Sequence, residues 1–341
     1  MNKKRTSIPQ VPTRLRHEVP VLFQEPNIHT GFREPHHPWL CYIFSIFQVH
    51  NECMNVWTHV IAAILVLVKL INMSDEIDFI NDRYSWDFLA GIFATLLLFL
   101  CSSGAHCLQS KSETVHYFCF MVDYAGIGMY GFCCAQLHFT YSADESLYRL
   151  FQTIFIPIGI GLGFLTCYLS IRAKIKYKRP YPYARKLHHI LPVFAMYIWL
   201  ILPVVHMLFH CIRYETKCNE SLPSHIRQIV CFFVSGAFYA GDIPQKILPI
   251  GWCDFIGHSH QLFHFFISMS SFYKLEAVRI DFRSNGGVIR ARPEPTFFSA
   301  FGPLLFLIAC EILCILSHRE QVHEKIARVY RVQEKEMKKD E

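Results

Sequence analysis

The sequence predicts an all-α membrane protein: a multi-pass bundle of transmembrane helices with a seven-helix core and an eighth, C-terminal transmembrane helix. Of its 341 residues, 52% are hydrophobic, 30 are Phe and only 18% are charged, which is unusually apolar for a soluble domain of this length. The apolar residues also form long runs, and residues 150–171 and 187–210 contain no Asp, Glu, Lys or Arg. Each of these runs is long enough to cross about 30 Å of hydrocarbon.

The chain begins with a polar, proline-containing segment, residues 1–40, which we predict to be cytoplasmic and which does not resemble a signal peptide. Residues 41–51 alternate aromatic and polar side chains, a pattern that favours an amphipathic helix on the membrane surface. We predict that the transmembrane bundle extends over residues 41–317 and that residues 318–341 form a cytoplasmic tail. The predicted spans cover residues 54–73, 86–108, 116–140, 150–171, 187–210, 227–246, 256–275 and 296–317.

The charges of the predicted loops indicate the orientation of the bundle. Residues 172–186, after the fourth span, carry seven Lys and Arg and no acid, whereas the loop after the first span is acidic. Because basic loops remain in the cytoplasm, we expect the N-terminus there, and the C-terminus too if all eight spans cross. One loop disagrees, since this orientation places four arginines outside: Arg279, Arg283, Arg290 and Arg292.

The composition excludes some functions and leaves other features open. The net charge of +6 does not indicate a nucleic-acid partner, because the basic residues lie in loops and tails beside the membrane. The 14 cysteines include no CxxC pair, which argues against a zinc finger or a redox motif. In a predicted outer loop, the sequence leaves open a Cys211–Cys218 disulfide and glycosylation of Asn219. It also leaves the oligomeric state open.

Ionisable side chains inside the spans identify the candidate site. Burying such a group in a bilayer costs free energy, so its presence there indicates a function. His260 and His264 lie four residues apart in the seventh span, so that on a helix both rings face one side and can share a Zn²⁺. His106 lies near the end of span two, and Asp123 is the only formal charge in span three. All four residues would lie within about 14 Å of the cytoplasmic surface, at 1.5 Å per residue. Three imidazoles with one open coordination position match a catalytic-type zinc site, in which a carboxylate can hold the activated water.

Each of these residues also has a simpler interpretation. The histidines could be core residues bonded to carbonyl groups, and Asp123 could be a packing acid bonded to Tyr or Ser. His59 fits an interfacial anchor as well as a metal ligand. Four other residues are interpreted as packing groups toward the opposite face (His138 and His206) or as helix caps and partners of interfacial bases (Asp242 and Glu311).

Four stretches of the chain together resemble the progestin and adipoQ receptor (PAQR) family. In order, they are Asn-Glu-Cys-Met-Asn-Val-Trp-Thr-His at residues 51–59, Ser102 with His106, Asp123-Tyr124, and His-Ser-His-Gln-Leu-Phe-His at residues 258–264. The resemblance extends from about residue 20 to residue 317. Two further stretches, residues 108–113 and 178–182, and the eighth span resemble the membrane progestin receptor branch of this family.

The resemblance implies a site and two activities. His106, His260 and His264 would bind zinc near the cytoplasmic end of a bundle that surrounds a lipid-accessible cavity. Asp123 would hold the water at the metal, with Ser102 as its supporting partner. The protein would be a plasma-membrane receptor for a progestin-type steroid or another lipid, with a heterotrimeric G protein as a further partner.

The alternative activity is a zinc-dependent lipid amide hydrolase of the ceramidase type, in which Asp123 and Ser102 would be catalytic. In a third, purely structural interpretation, zinc only pins three spans together. We favour the receptor, and the sequence leaves open whether the protein is also an enzyme.

Overall fold

The computed structural model describes residues 9–179, 181–214 and 219–340, without the side chains of residues 332–340. Over these residues the fold is all-α, apart from two short strands that pair antiparallel, β1 (Thr13–Arg14) and β2 (Phe32–Arg33). The predicted multi-pass helical bundle is confirmed. The helices are α1 (Trp39–Phe44), α2 (Cys53–Ser74), α3 (Trp86–Leu108), α4 (Glu113–Tyr141), α5 (Glu145–Phe151), α6 (Phe155–Lys176), α7 (Tyr183–Arg213), α8 (Leu222–Gly241), α9 (Ser259–Ser284), α10 (Gly286–Arg290), α11 (Phe297–Ala300), α12 (Gly302–Ser317) and α13 (Arg319–Asp340).

Six helical segments of the described chain are long and apolar enough to cross a membrane: Cys53–Ser74, Arg83–Leu108, Glu113–Tyr141, Phe155–Lys176, Tyr183–Arg213 and Gly302–Arg331. Helices α8 and α9 occupy the positions of the sixth and seventh predicted spans, but they carry more polar side chains. They bury several of these between them: Ser270 donates to the carbonyl of Gln228 at 2.8 Å, and His225 lies 2.9 Å from Asp281. The protein is a multi-pass membrane protein, and the number of spans stays a prediction.

Helix boundaries differ from the predicted spans where the local backbone ends a helix. Helix α8 stops at Gly241 because Asp242 adopts the left-handed conformation, with φ 53° and ψ 31°. The predicted span 227–246 therefore extends past the helix. Asp242 also accepts a hydrogen bond from Lys186 at 2.6 Å, which confirms its interpretation as the partner of a basic residue.

Helix α4 lies at the centre of the bundle, with α3, α6, α7 and α12 packed around it. Its backbone approaches that of α6 so closely that a Cβ atom on Gly128 would lie 2.6 Å from the carbonyl oxygen of Gly163. Small residues allow such contacts between membrane helices, where packing replaces the hydrophobic effect that drives association in water. The short connection at residues 109–112 then places His106 of α3 at the same end of the bundle as the start of α4.

The N-terminal segment folds over this end of the bundle. Arg33 is only 1% exposed, and its guanidinium donates to the carbonyl oxygens of His106 and Cys107, both at 2.6 Å. It thereby satisfies carbonyl groups that the end of α3 leaves without a helical partner. From the α8–α9 connection, Asp254 accepts a hydrogen bond from the Thr30 hydroxyl at 2.7 Å. The segment is thus anchored next to the candidate site.

The arginines that conflict with the predicted orientation lie at the opposite end, beside the acidic loop that follows α2. Arg279 and Arg283 contact Glu76 at 2.7 Å and 3.2 Å. Arg290 contacts Asp82 at 2.6 Å. These ion pairs compensate the positive charge of Arg279, Arg283 and Arg290.

Candidate metal centre

Helices α3 and α9 bring three imidazole rings together inside the bundle. His106, His260 and His264 each offer a ring nitrogen, and these three atoms lie within 4.8 Å of one another. The Nε2 atoms of His106 and His260 are 3.1 Å apart. His260 and His264 lie one turn apart on α9, with ring centroids separated by 4.6 Å, as their spacing predicts. We call these residues the histidine cluster.

A buried carboxylate sets the orientation of His106. Oε2 of Glu52, the residue before α2, lies 2.7 Å from Nδ1 of His106, and both side chains are almost inaccessible to solvent. Because the carboxylate accepts the proton of Nδ1, the lone pair of Nε2 is directed into the cluster. Histidine ligands of metals usually donate their other N–H group to a carboxylate or a carbonyl in this way.

The carboxylate of Glu52 is itself held by a chain of hydrogen bonds that crosses from α4 to α6. Gln109 donates to Oε1 of Glu52 at 3.3 Å, and Nδ1 of His116 lies 2.6 Å from Oε1 of Gln109. Nζ of Lys174 lies 2.9 Å from Nε2 of His116. Since the lysine is the donor to Nε2, the proton of His116 lies on Nδ1 and points to Gln109. Every donor in this series of hydrogen bonds therefore points toward Glu52.

The second ligand candidate on α9 is held by backbone and hydroxyl groups of α2. Nδ1 of His264 lies 3.1 Å from the carbonyl oxygen of Asn55 and 3.1 Å from the hydroxyl of Thr58. Donation of Nδ1–H to the carbonyl leaves Nε2 of His264 free for a ligand. His59 stacks on the same ring, with centroids 3.8 Å apart and planes 5° apart. This contact supports the ring of His264, and His59 is not one of the three cluster residues.

The cluster has the donor set and the spacing of a zinc site. Zinc bound tetrahedrally at about 2.0–2.1 Å from each nitrogen would separate its ligand atoms by about 3.3–3.4 Å, close to the 3.1 Å between His106 and His260. The lone pairs of two unprotonated Nε2 atoms repel each other at 3.1 Å. The contact is therefore stable only when a proton or a cation lies between the two nitrogens. The Nδ1 atom of His106 is already paired with Glu52, so a cation at the centre fits the arrangement.

Asp123 lies on α4 beside the cluster, where the sequence predicts it. Asp123 is 9% exposed, and its carboxylate lies near the side chain of Ser102, which is one turn before His106 on α3. Asp123 is not part of the group of ligand atoms within 4.8 Å of one another in the described chain. This placement suits a residue that would hold a water molecule or a substrate group next to a metal ion bound by the three imidazoles.

Comparisons with known proteins identify the family of this chain. Residues 47–275 match the family model described as "Haemolysin-III related". The chain is 36% identical to "Membrane progestin receptor beta" of Mus musculus over 319 residues, which are 91% of this chain and 88% of the relative. It is 31% identical to "Membrane progestin receptor alpha-B" of Danio rerio over 319 residues, which are 93% of this chain and 90% of the relative. The chain belongs to the PAQR family. The resemblance read from its four motifs is confirmed.

Within this PAQR chain, the sequence prediction missed the partners of the cluster. Glu52 precedes the first predicted span, so a search for charges inside the spans does not detect it. Its place in the motif at residues 51–59 is the signal that could have identified it. The interpretation of Glu311 as a cap or a partner of a base is wrong, because both of its carboxylate oxygens are buried without a hydrogen-bond partner among the described residues.

Proposed function

We propose that this chain is a plasma-membrane receptor for a progestin-type steroid, with zinc bound by the histidine cluster near the cytoplasmic face. The observation that carries this proposal is the similarity to proteins named membrane progestin receptors, which extends over 91% of the chain at 36% identity for one relative and over 93% at 31% for another. With 91% of the chain aligned, the similarity covers most of the bundle. The N- and C-termini both lie in the cytoplasm in this proposal.

The surroundings of the cluster suit a flat, apolar ligand. The Phe120 ring lies 5.8 Å from that of His106, and the Phe263 ring lies 5.5 Å from that of His260. Tyr239 of α8 packs on Phe263 at 5.3 Å. Helix α8 packs mainly on α9. In this proposal a steroid dissolved in the bilayer enters between α7 and α8, which meet at the Tyr197–Phe232 stack and the Lys186–Asp242 pair.

A receptor must also transmit the binding event to a partner. The ligand shifts the conformational equilibrium only if its affinity differs between the two states. The N-terminal segment is suited to report such a change, because Arg33 contacts the end of α3 and Asp254 ties the segment to the α8–α9 connection. The proposed cytoplasmic partner is a heterotrimeric G protein.

Radiolabelled progesterone binding to membranes from cells that express the chain tests the receptor proposal. We expect saturable binding that is absent from membranes of untransfected cells. Phe263→Ala should weaken it about tenfold through loss of aromatic contact, whereas Phe265→Ala on the same helix, where the ring is 51% exposed, should leave it unchanged. Binding no greater than in untransfected membranes, at verified surface expression, would refute the receptor.

A second candidate, a lipid amide hydrolase of the ceramidase type, is favoured by the Asp123–Ser102 pair next to three imidazoles. A zinc ion held there supplies a Lewis acid that polarises the amide carbonyl and acidifies water. Asp123 would accept the proton of the attacking water and deliver it to the departing amine, so that the amide yields a fatty acid and an amine. Ser102 would orient the carboxylate by donating to it.

Turnover of ceramide by the purified protein tests this candidate. Asp123→Asn should lower the rate by about 10²–10⁴-fold, because it removes the general base. Asp242→Asn is the matched control, since that carboxylate pairs with Lys186 at the end of α8 and its replacement should not change the rate. Equal sphingosine release by the wild type and Asp123→Asn would remove the hydrolase from consideration.

A further inference from the structure

We propose that Asp144, His206 and His210 form a second metal site, which takes a zinc ion at the end of the bundle opposite the histidine cluster. This site lies apart from the receptor and hydrolase functions proposed above. Helix α4, 29 residues long, extends about 43 Å between the two ends at 1.5 Å per residue. The two sites therefore cannot share an ion.

The geometry of the three side chains is that of a ligand set. Their ligand atoms lie within 4.8 Å of one another. His206 and His210 lie one turn apart on α7, with ring centroids 4.8 Å apart. Nδ1 of His206 lies 3.0 Å from Oδ2 of Asp144, and Nε2 of His210 lies 3.9 Å from the same oxygen. Two imidazoles and a carboxylate oxygen thus face a common point.

The two carboxylate oxygens of Asp144 have separate roles. Oδ1 accepts hydrogen bonds from the backbone N–H of Leu147 and from the hydroxyl of Ser146, both at 2.8 Å, and so caps the start of α5. Oδ2 is left to face the two imidazoles of α7. Because the cap fixes the orientation of the carboxylate, the ligand oxygen is already in place before a cation binds.

His206 is not explained by a simple ion pair with Asp144. Its Nδ1 atom is buried and lacks a hydrogen-bond partner in the described part of the chain, although Oδ2 of Asp144 is only 3.0 Å away. The ring therefore does not direct an N–H group at this oxygen. Two ligand atoms of one tetrahedral zinc lie about 3.3–3.4 Å apart without a hydrogen bond between them. The 3.0 Å between Nδ1 of His206 and Oδ2 of Asp144 is close to that separation.

The position of the site makes it accessible to ions from solution. The side chains of Asp144, His206 and His210 are 37%, 27% and 45% exposed. Asp144 and His210 border an open cleft of about 760 Å³, whose lining also includes Glu145, Glu220 and Arg283. Imidazole ligands favour Zn²⁺ over Ca²⁺ and Mg²⁺, and a bound ion would tie α7 to the start of α5.

Zinc titration of the purified full-length chain tests this proposal. The titration uses the His260→Ala/His264→Ala background, so that the histidine cluster cannot contribute ligands. We expect about one zinc per chain in this background, and its loss when His206→Gln and His210→Gln are added. Asp144→Asn keeps a side-chain acceptor for the α5 cap but removes the charge, and should weaken binding at least about tenfold.

The controls separate metal binding from general damage. His323→Gln changes an exposed histidine of α13 and should leave zinc binding unchanged. Zinc should also raise the melting temperature of the wild type more than that of His206→Gln/His210→Gln, which keeps the test valid if the combined variants fail to fold. Equal zinc stoichiometry and affinity with and without His206 and His210 would overturn the proposal, whether or not the histidine cluster holds zinc.

Discussion

In the His206→Gln/His210→Gln background, which lacks the second proposed site, adding His260→Ala and His264→Ala should remove the tightly bound zinc that we expect there, about one ion per chain. The two substitutions remove both imidazoles that α9 directs at His106, where ring nitrogens converge within 4.8 Å. One remaining imidazole cannot hold zinc against a chelator, because structural and catalytic sites need three or four protein ligands. Mass-spectrometric metal analysis, after dialysis against a mild chelator, measures the difference.

His258→Ala is the matched control for this experiment. His258 precedes α9, and its Nε2 atom lies 3.3 Å from the carbonyl oxygen of Asn51, so its loss removes a nearby histidine without removing a cluster residue. We expect His258→Ala to retain its zinc. Zinc retained after both alanine substitutions, at the level of the His206→Gln/His210→Gln parent, would show that other residues hold the metal.

Glu52→Gln should weaken zinc binding by about 10–100-fold, the usual effect of removing a carboxylate that supports a histidine ligand. The amide is close in size to the carboxylate and can still accept the proton of Nδ1 of His106, but it lacks the negative charge that makes the imidazole a better donor to the metal. The buried 2.7 Å contact between the two side chains would thus persist in a weaker form. Competition with a chromogenic chelator gives the ratio of the two dissociation constants.

Glu34→Gln provides the comparison, because Glu34 lies in the N-terminal segment at the same end of the bundle but pairs with Arg14 at 3.0 Å and is partly exposed. Surface pairs of this kind contribute little, so its zinc affinity should equal that of the wild type. The same affinity in Glu52→Gln would mean that the negative charge of Glu52 does not support a metal ligand.

The extent to which the sequence predicted the site depends on where each residue lies. His260 and His264 follow the period of a helix, so their common face can be read directly from the sequence. His106 and Asp123 were identified by the cost of ionisable groups inside spans. That reasoning does not extend to Glu52, which lies just before a span and finds its partners, His106 and Gln109, at the end of α3 and just after it.

Long-range contacts explain the other differences. His206 and His210 show the same four-residue spacing as His260 and His264, yet His206 was interpreted as a packing residue. Its partner Asp144 lies in a turn between α4 and α5, and no periodicity connects a turn residue to a distant helix. The end of α8 likewise depends on the left-handed backbone of Asp242, which an apolar pattern does not reveal.

The zinc K-edge X-ray absorption spectrum tests the central claim most directly. It is best recorded on His206→Gln/His210→Gln, in which the histidine cluster is the remaining proposed site. The account predicts about three nitrogen ligands at 2.0–2.1 Å, from the three imidazoles, and one oxygen ligand, from a water molecule in the fourth position. Sulfur ligands at about 2.3 Å, or a protein that takes up no zinc, would contradict it and leave the histidines as buried packing residues.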